Sequence, residues 1–152
     1  MSEGTGLDVA PMSSAVFRVA RLHKALAGRL LRETGLHPGQ ELVLMALWSS
    51  GPQRQVDLVA AIESDAPTMT RSIGRLERVG LVRRTRSQTD RRAVLVEATE
   101  ASLGLRAQVE AAWAELERLT VGTLSEARQA EVLESLGTLE SNLESNRETV
   151  AP

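Results

Sequence analysis

Apolar residues recur at three- and four-residue steps through Val16, Val19, Leu22 or His23, Leu26 and Leu30. That spacing predicts an amphipathic helix from Ala15, capped by Ser13 or Ser14, to about Glu33. Residues 1–11 ahead of it read as a disordered terminus. Thr34-Gly35 ends the helix and Pro38 suits the first position of the next. There Leu42, Val43, Leu44, Met45, Ala46, Leu47 and Trp48 run without a polar interruption to a stop at Ser49-Ser50-Gly51-Pro52. A helix apolar nearly all round belongs at the centre of a fold. Residues 56–62 read as a short helix with Leu58, Val59 and Ile62 inward, broken by Glu63-Ser64-Asp65. A further helix restarts at Pro67, with Asp65 or Ala66 as its cap. Its predicted buried stripe is Met69, Ile73, Leu76 and Val79, which leaves Thr68, Thr70, Arg71, Ser72, Arg75 and Arg78 on the other side.

Gly80 suits the left-handed position that closes a helix. Residues 81–86 and 93–97 are strand-like, with Ser87-Gln88-Thr89-Asp90 between them as a hairpin turn. Two short helices joined by a tight turn and followed by a hairpin make a winged helix-turn-helix. Thr99 can cap a long helix with Leu103, Val109, Ala112 or Trp113, Leu116 and Leu119 on one stripe. Ser125 can cap another, running to Asn146 through Val132 or Leu133, Leu136, Leu139 or Glu140, and Leu143. The expected fold is therefore mainly α with a small two- to three-stranded β wing: a winged helix over residues 36–99, flanked by helices at 12–35 and 100–147. The apolar stripes of the flanking helices exceed what one small winged helix can cover, so they are expected to form a homodimer. An intramolecular bundle is the alternative.

Charge sharpens this picture. Between Arg71 and Arg92 there are eight arginines (71, 75, 78, 83, 84, 86, 91 and 92) against two acids, Glu77 and Asp90, in a chain whose total is −2. Residues 93–152 carry the opposite sign, with four bases and eleven acids. Arginine presents a planar fork of donors that matches phosphate oxygens and the O6/N7 edge of guanine. One region is thus fitted to an anionic partner while the rest stays acidic.

Composition removes other classes. Three aromatics, Phe17, Trp48 and Trp113, cannot build the stacking platforms that grip single strands. There is no cysteine, hence no thiolate chemistry, and the two histidines, His23 and His37, have no carboxylates at metal-ligand spacing. No phosphate-binding glycine loop, serine triad or paired-histidine motif is present, so neither an enzyme nor a bound cofactor or metal is expected. The N-terminal stretch MSEGTGLDVAPMSS lacks the basic and apolar regions of a signal peptide, and no apolar run approaches membrane-spanning length. A cytoplasmic location with no membrane partner is expected.

Four stretches converge on one family: Thr70-Arg71; Leu76-Glu77-Arg78-Val79-Gly80-Leu81-Val82-Arg83-Arg84; Asp90-Arg91-Arg92; and Thr99-Glu100. In these residues and their spacing the chain resembles the MarR family of winged-helix transcription regulators. It departs from the family's common Leu-Thr-Glu-Lys-Gly after the second wing strand, having Ala98-Thr99-Glu100-Ala101-Ser102 there. The resemblance implies a homodimeric regulator, with repression the expected outcome, whose two winged helices rest on a palindromic duplex. It also implies that a small aromatic or anionic effector, bound between the flanking helices and the winged helix, weakens DNA affinity. On that reading Arg92 enters the minor groove from the wing tip, beside Arg91, with Asp90 holding its guanidinium in a bidentate pair. Thr68, Thr70, Arg71 and Arg75 face the major groove, Arg84 and Arg86 lie along the wing, and Arg54 contacts a phosphate. Phe17, Trp48 and Trp113 border the effector cavity by resemblance, although an aromatic at helical spacing is more often core. The competing function is a winged helix that binds an acidic protein partner.

Overall fold

The computed structural model describes residues 8–149. Residues 1–7 of the expected disordered terminus lie outside the described part. The chain divides into two compact units, the first ending at Leu116 and the second beginning at Glu117.

In the first unit α1 spans Pro11–Leu30, four residues longer at its start than the spacing predicts. Proline at the first turn explains the extension, because its fixed φ suits a helix and its missing N–H would have had no partner there. Ser14 is consequently inside the helix rather than capping it, buried, with its hydroxyl accepting from the Arg18 guanidinium. A short 3-10 turn, Arg32–Thr34, and Gly35 at φ +74° bring the chain round to α2, Gln40–Ser50. Pro38 sits in the preceding turn, so α2 begins at Gln40 behind Gly39 at φ +102°. The Glu41 carboxylate accepts the Gly39 N–H at 2.7 Å and the Gln40 side chain accepts the His37 N–H at 3.1 Å. Side chains four positions or fewer away therefore replace a conventional cap.

As its composition predicts, α2 is central: Val43, Leu44 and Leu47 are in the core. Leu58 from α3 (Gln55–Ile62) and Met69, Ile73 and Leu76 from α4 (Ala66–Arg78) complete that core with Val82 and Val96 of the sheet. The expected fourth member of the α4 stripe, Val79, is 69% exposed, because the helix ends at Arg78 and the chain turns away. Gly80 at φ +77° makes that turn, with the Leu81 N–H bonded to the Leu76 carbonyl at 2.9 Å.

The wing strands are β2, Val82–Arg86, and β3, Val94–Ala98, paired antiparallel. A third strand, β1 at Gln53–Arg54, pairs with β3 on its other edge and gives the order β1-β3-β2. Two residues are too few for any periodicity to reveal. Thr99 bonds back to the wing, its N–H to the Leu81 carbonyl at 3.0 Å and its hydroxyl to the Gly80 carbonyl at 2.6 Å. The same hydroxyl accepts the Ser102 N–H at 3.3 Å, capping α5, Glu100–Val121, as expected. Along α5, Ser102, Val109, Ala112 and Leu116 are buried whereas Leu103 is exposed, so the buried stripe is rotated from the predicted one.

In the second unit α6 spans Glu126–Ser145, with the Ser125 hydroxyl accepting the Arg128 N–H at 3.3 Å in the expected cap. No α6 residue is buried, and Leu133, Leu136 and Leu143 lie open. On α1, Val16, Phe17, Val19 and Leu22 are likewise exposed. Among the described residues no helix is long and apolar enough to cross a membrane.

Candidate nucleic-acid interface

The turn between α3 and α4 is built by Glu63 at φ +53° and by Asp65, which caps α4. The Asp65 carboxylate accepts both the Thr68 N–H (2.8 Å) and the Thr68 hydroxyl (2.7 Å), and these bonds hold its pKa below the usual aspartate value. Thr68 also accepts from the Arg71 guanidinium at 3.3 Å. Its hydroxyl proton is therefore engaged inside the helix. Thr70 is in a similar state, donating to the Ala66 carbonyl at 2.9 Å and accepting from Gln55 Nε2 at 2.7 Å. Gln55, the first residue of α3, was not singled out by sequence reasoning. Only the three-dimensional approach of α3 to α4 pairs residues fifteen positions apart.

The arginines around α4 and the wing differ in their partners. Three are in surface ion pairs: Arg54 with Asp57 through two bonds at 2.8 and 3.1 Å, Arg83 with Glu97 at 3.0 Å, and Arg84 with Glu77 at 3.4 Å. The Asp57 hydrogen bonds raise the Arg54 pKa and depress that of Asp57 in return. Such exposed pairs contribute little to stability and exchange readily for a phosphate. Arg83 stands directly across from Glu97 in the sheet register. The Glu77–Arg84 pair ties the recognition helix α4 to the wing, a link that the sequence did not announce.

Arg75, Arg91 and Arg92 form no ion pair among the described residues, and all three are exposed. Arg86 makes only a 3.5 Å contact to the Arg91 carbonyl. The expected bidentate pair between Asp90 and the Arg92 guanidinium is absent. Instead the Asp90 carboxylate accepts the Arg92 backbone N–H at 3.0 Å, while the Ser87 hydroxyl accepts the N–H groups of Thr89 and Asp90 at 3.3 and 3.2 Å. An aspartate two residues ahead of an N–H closes an Asx turn, a shorter-range bond than one to a mobile guanidinium. Asp90 shapes the wing tip, and Arg92 extends from it with its fork of donors free.

A cavity of about 470 Å³ opens beside the C-terminal half of α4. Leu36, Val79, Leu81 and Leu105 give it apolar walls, and Arg75 and Arg78 bring guanidinium groups to it. Phe17, Trp48 and Trp113 are not among the residues that line it. Phe17 is 67% exposed on α1. Trp48 donates its indole N–H to the Ser102 hydroxyl at 3.1 Å and borders a different depression of about 430 Å³ with Arg83 and Glu97. Trp113 packs edge-on against His23, ring centroids 6.4 Å apart, beside the buried Glu41 carboxyl. Burial raises the Glu41 pKa, and the backbone bonds from its own N–H and from Gly39 oppose that shift more than Trp113 does. The buried Trp113 indole N–H has no partner in full hydrogen-bond geometry, and its lowering effect on Glu41 is the smallest of the three. Among the described residues no group of histidines and acids is disposed to hold a metal ion.

Residues 36–94 match the MarR family model. The chain is similar in fold to a mutant MarR from E. coli complexed with operator DNA, at 20% identity and a TM-score of 0.81, covering 90% of this chain and 99% of that one. It is 28% identical to a probable transcriptional regulator from Pseudomonas aeruginosa, with a TM-score of 0.76 over 86% of this chain and 97% of that one. It is 25% identical to BpsR from Bordetella bronchiseptica, whose DNA binding 6-hydroxynicotinic acid regulates, with a TM-score of 0.77 over 86% and 98% of the two chains.

Proposed function

Because residues 36–94 form a MarR family domain, we propose that this DNA-binding regulator acts as a homodimeric repressor at a palindromic operator and is released by a small anionic ligand. The observation that carries the DNA reading is the set of exposed, unpaired guanidinium groups of Arg75, Arg91 and Arg92 on a recognition helix and wing. They are joined by the exchangeable Arg54 and Arg84 and by Arg71. Arg92 at the wing tip suits a narrow, electronegative minor groove, and α4 suits the major groove.

Dimerisation is supported by the apolar side chains left open on α1 and α6, which water disfavours and a second copy would cover. A two-fold dimer reads half-sites about one helical turn, roughly 34 Å, apart. The ligand reading is supported by the cavity beside α4, where apolar walls and two guanidinium groups fit an aromatic or aliphatic body carrying a carboxylate. Arg75 is common to the cavity and the exposed face of α4. An anion held there therefore competes with DNA for the same charge. The regulation of BpsR by 6-hydroxynicotinic acid is a precedent of the same chemistry.

The deciding experiment is a mobility-shift titration against the DNA flanking the protein's own gene, in excess non-specific competitor, with a footprint of the shifted complex. A two-fold symmetric footprint is expected. Binding that the competitor abolishes, together with capture of acidic proteins through the same arginines, would favour the protein-interaction module instead. Light scattering that finds a monomer at micromolar concentration would remove the dimer.

A further inference from the structure

Thr70 lies on the exposed side of α4 one turn from its start, in the half of a recognition helix that reaches base edges. Its hydroxyl has two partners, the Ala66 carbonyl at 2.9 Å and Gln55 Nε2 at 2.7 Å. A carbonyl can only accept, so the hydroxyl proton lies toward Ala66 and the Gln55 contact must be donated by the amide nitrogen.

Two consequences follow for any DNA in the groove. Thr70 has no proton left for a phosphate or a base acceptor; what it retains for an outside partner is one acceptor lone pair and its methyl group. Gln55 retains its amide oxygen and its second N–H, anchored by Thr70 rather than free to rotate. A carboxamide with one free acceptor and one free donor complements the N6–H and N7 of adenine, and a methyl group complements the C5-methyl of thymine. A phosphate takes donors only, so it would use the second Gln55 N–H but leave the amide oxygen and the Thr70 methyl group unmatched.

We infer that Gln55 and Thr70 form one base-reading pair, selecting an A·T step in each operator half-site through adenine on Gln55 and a thymine methyl on Thr70. The inference rests on the DNA-recognition reading above and assigns sequence discrimination to a pair of uncharged residues, leaving the arginines to supply affinity and register. Thr70 is the contact residue for thymine, and it also positions Gln55.

Binding-site selection from randomised duplexes, followed by titration of the selected site, tests it. With wild-type protein, replacing the recognised thymine by deoxyuracil removes only the methyl group and should weaken binding severalfold. Thr70→Ser keeps the anchor for Gln55 but lacks the methyl, so it should bind the thymine and deoxyuracil sites equally. Gln55→Ala should lose about five- to 150-fold of discrimination for adenine at one position per half-site while the other positions keep theirs. Thr70→Val should keep the thymine-over-deoxyuracil preference and lose part of the adenine preference. Deoxyuracil tolerated without loss at every position of the wild-type site, or Gln55→Ala weakening all sequences alike, overturns the inference while DNA recognition stands. Wild-type protein that selects no sequence at all overturns the DNA-recognition reading, and this inference with it.

Discussion

Ile73→Ala should cost the fold about 3–4 kcal/mol, while Val79→Ala, six residues along from it, should cost under about 0.5 kcal/mol. Ile73 is 0% exposed and sits among Leu58, Met69 and Leu76, themselves buried. Alanine removes three carbons, and at about 0.8 kcal/mol for each buried methylene equivalent the transfer loss is about 2.4 kcal/mol. The surrounding residues are on helices that the sheet and α2 hold in place, so the space closes only partly. A residual cavity of roughly 40–60 Å³ adds about 1–1.5 kcal/mol at about 24 cal/mol per Å³. Val79, by contrast, is 69% exposed and has little to lose. Urea unfolding followed by circular dichroism, at one fixed protein concentration because association would couple to unfolding, measures both. Ile73→Val should fall between them at about 1 kcal/mol. Equal losses for Ile73→Ala and Val79→Ala would refute the reasoning, since they would mean that the helical stripe continues past Arg78 as the bare periodicity predicts.

Arg92→Ala should weaken operator binding by about 1–3 kcal/mol and reduce its salt dependence, and Asp90→Ala should cause a smaller loss by loosening the wing-tip turn; salt-dependent titrations that match wild type would exclude the wing as a reader. Arg78→Ala should leave operator affinity nearly unchanged but raise the concentration of an aromatic carboxylate, 6-hydroxynicotinic acid as first probe, needed for release; an unchanged release curve would remove Arg78 from the ligand site. Glu41→Gln should raise the melting temperature at pH 7. Burial raises the Glu41 pKa in the folded state, so the folded chain holds this proton more tightly than the unfolded one. Its contribution is most favourable below the unfolded value, about 4.3, and is lost as pH rises through the folded pKa. The advantage of the glutamine variant should therefore shrink as pH falls toward 4, and melting curves with a pH-independent difference would contradict it.

Much of the fold was legible because it rests on short-range regularities. The three- and four-step stripes located the helices, the uninterrupted apolar run marked α2 as central, and Gly80, Thr99 and Ser125 stand at the helix boundaries their chemistry predicts. The clustering of arginine between positions 71 and 92, and the motif residues beside it, mark the candidate interface in the sequence itself. Each of these depends on neighbours within one or two turns, and such patterns survive in a linear string.

What tertiary structure decided involves partners far apart in the chain or a choice among several near ones. β1 exists because two residues meet the edge of β3 more than forty positions later. The sharing of Glu77 with Arg84, the anchoring of Gln55 on Thr70 and the meeting of Arg75 and Arg78 with Leu36 and Leu105 around one cavity have no periodic signature. At Asp90 the sequence pointed to a bond with the Arg92 guanidinium, but the backbone N–H of Arg92 takes its place because an Asx turn orders less of a long side chain. Composition and spacing thus determined which residues are available for DNA, whereas packing determined which of their hydrogen-bonding groups remain free to meet it, since a donor already held by a neighbour within 3 Å cannot serve a second acceptor at the same strength.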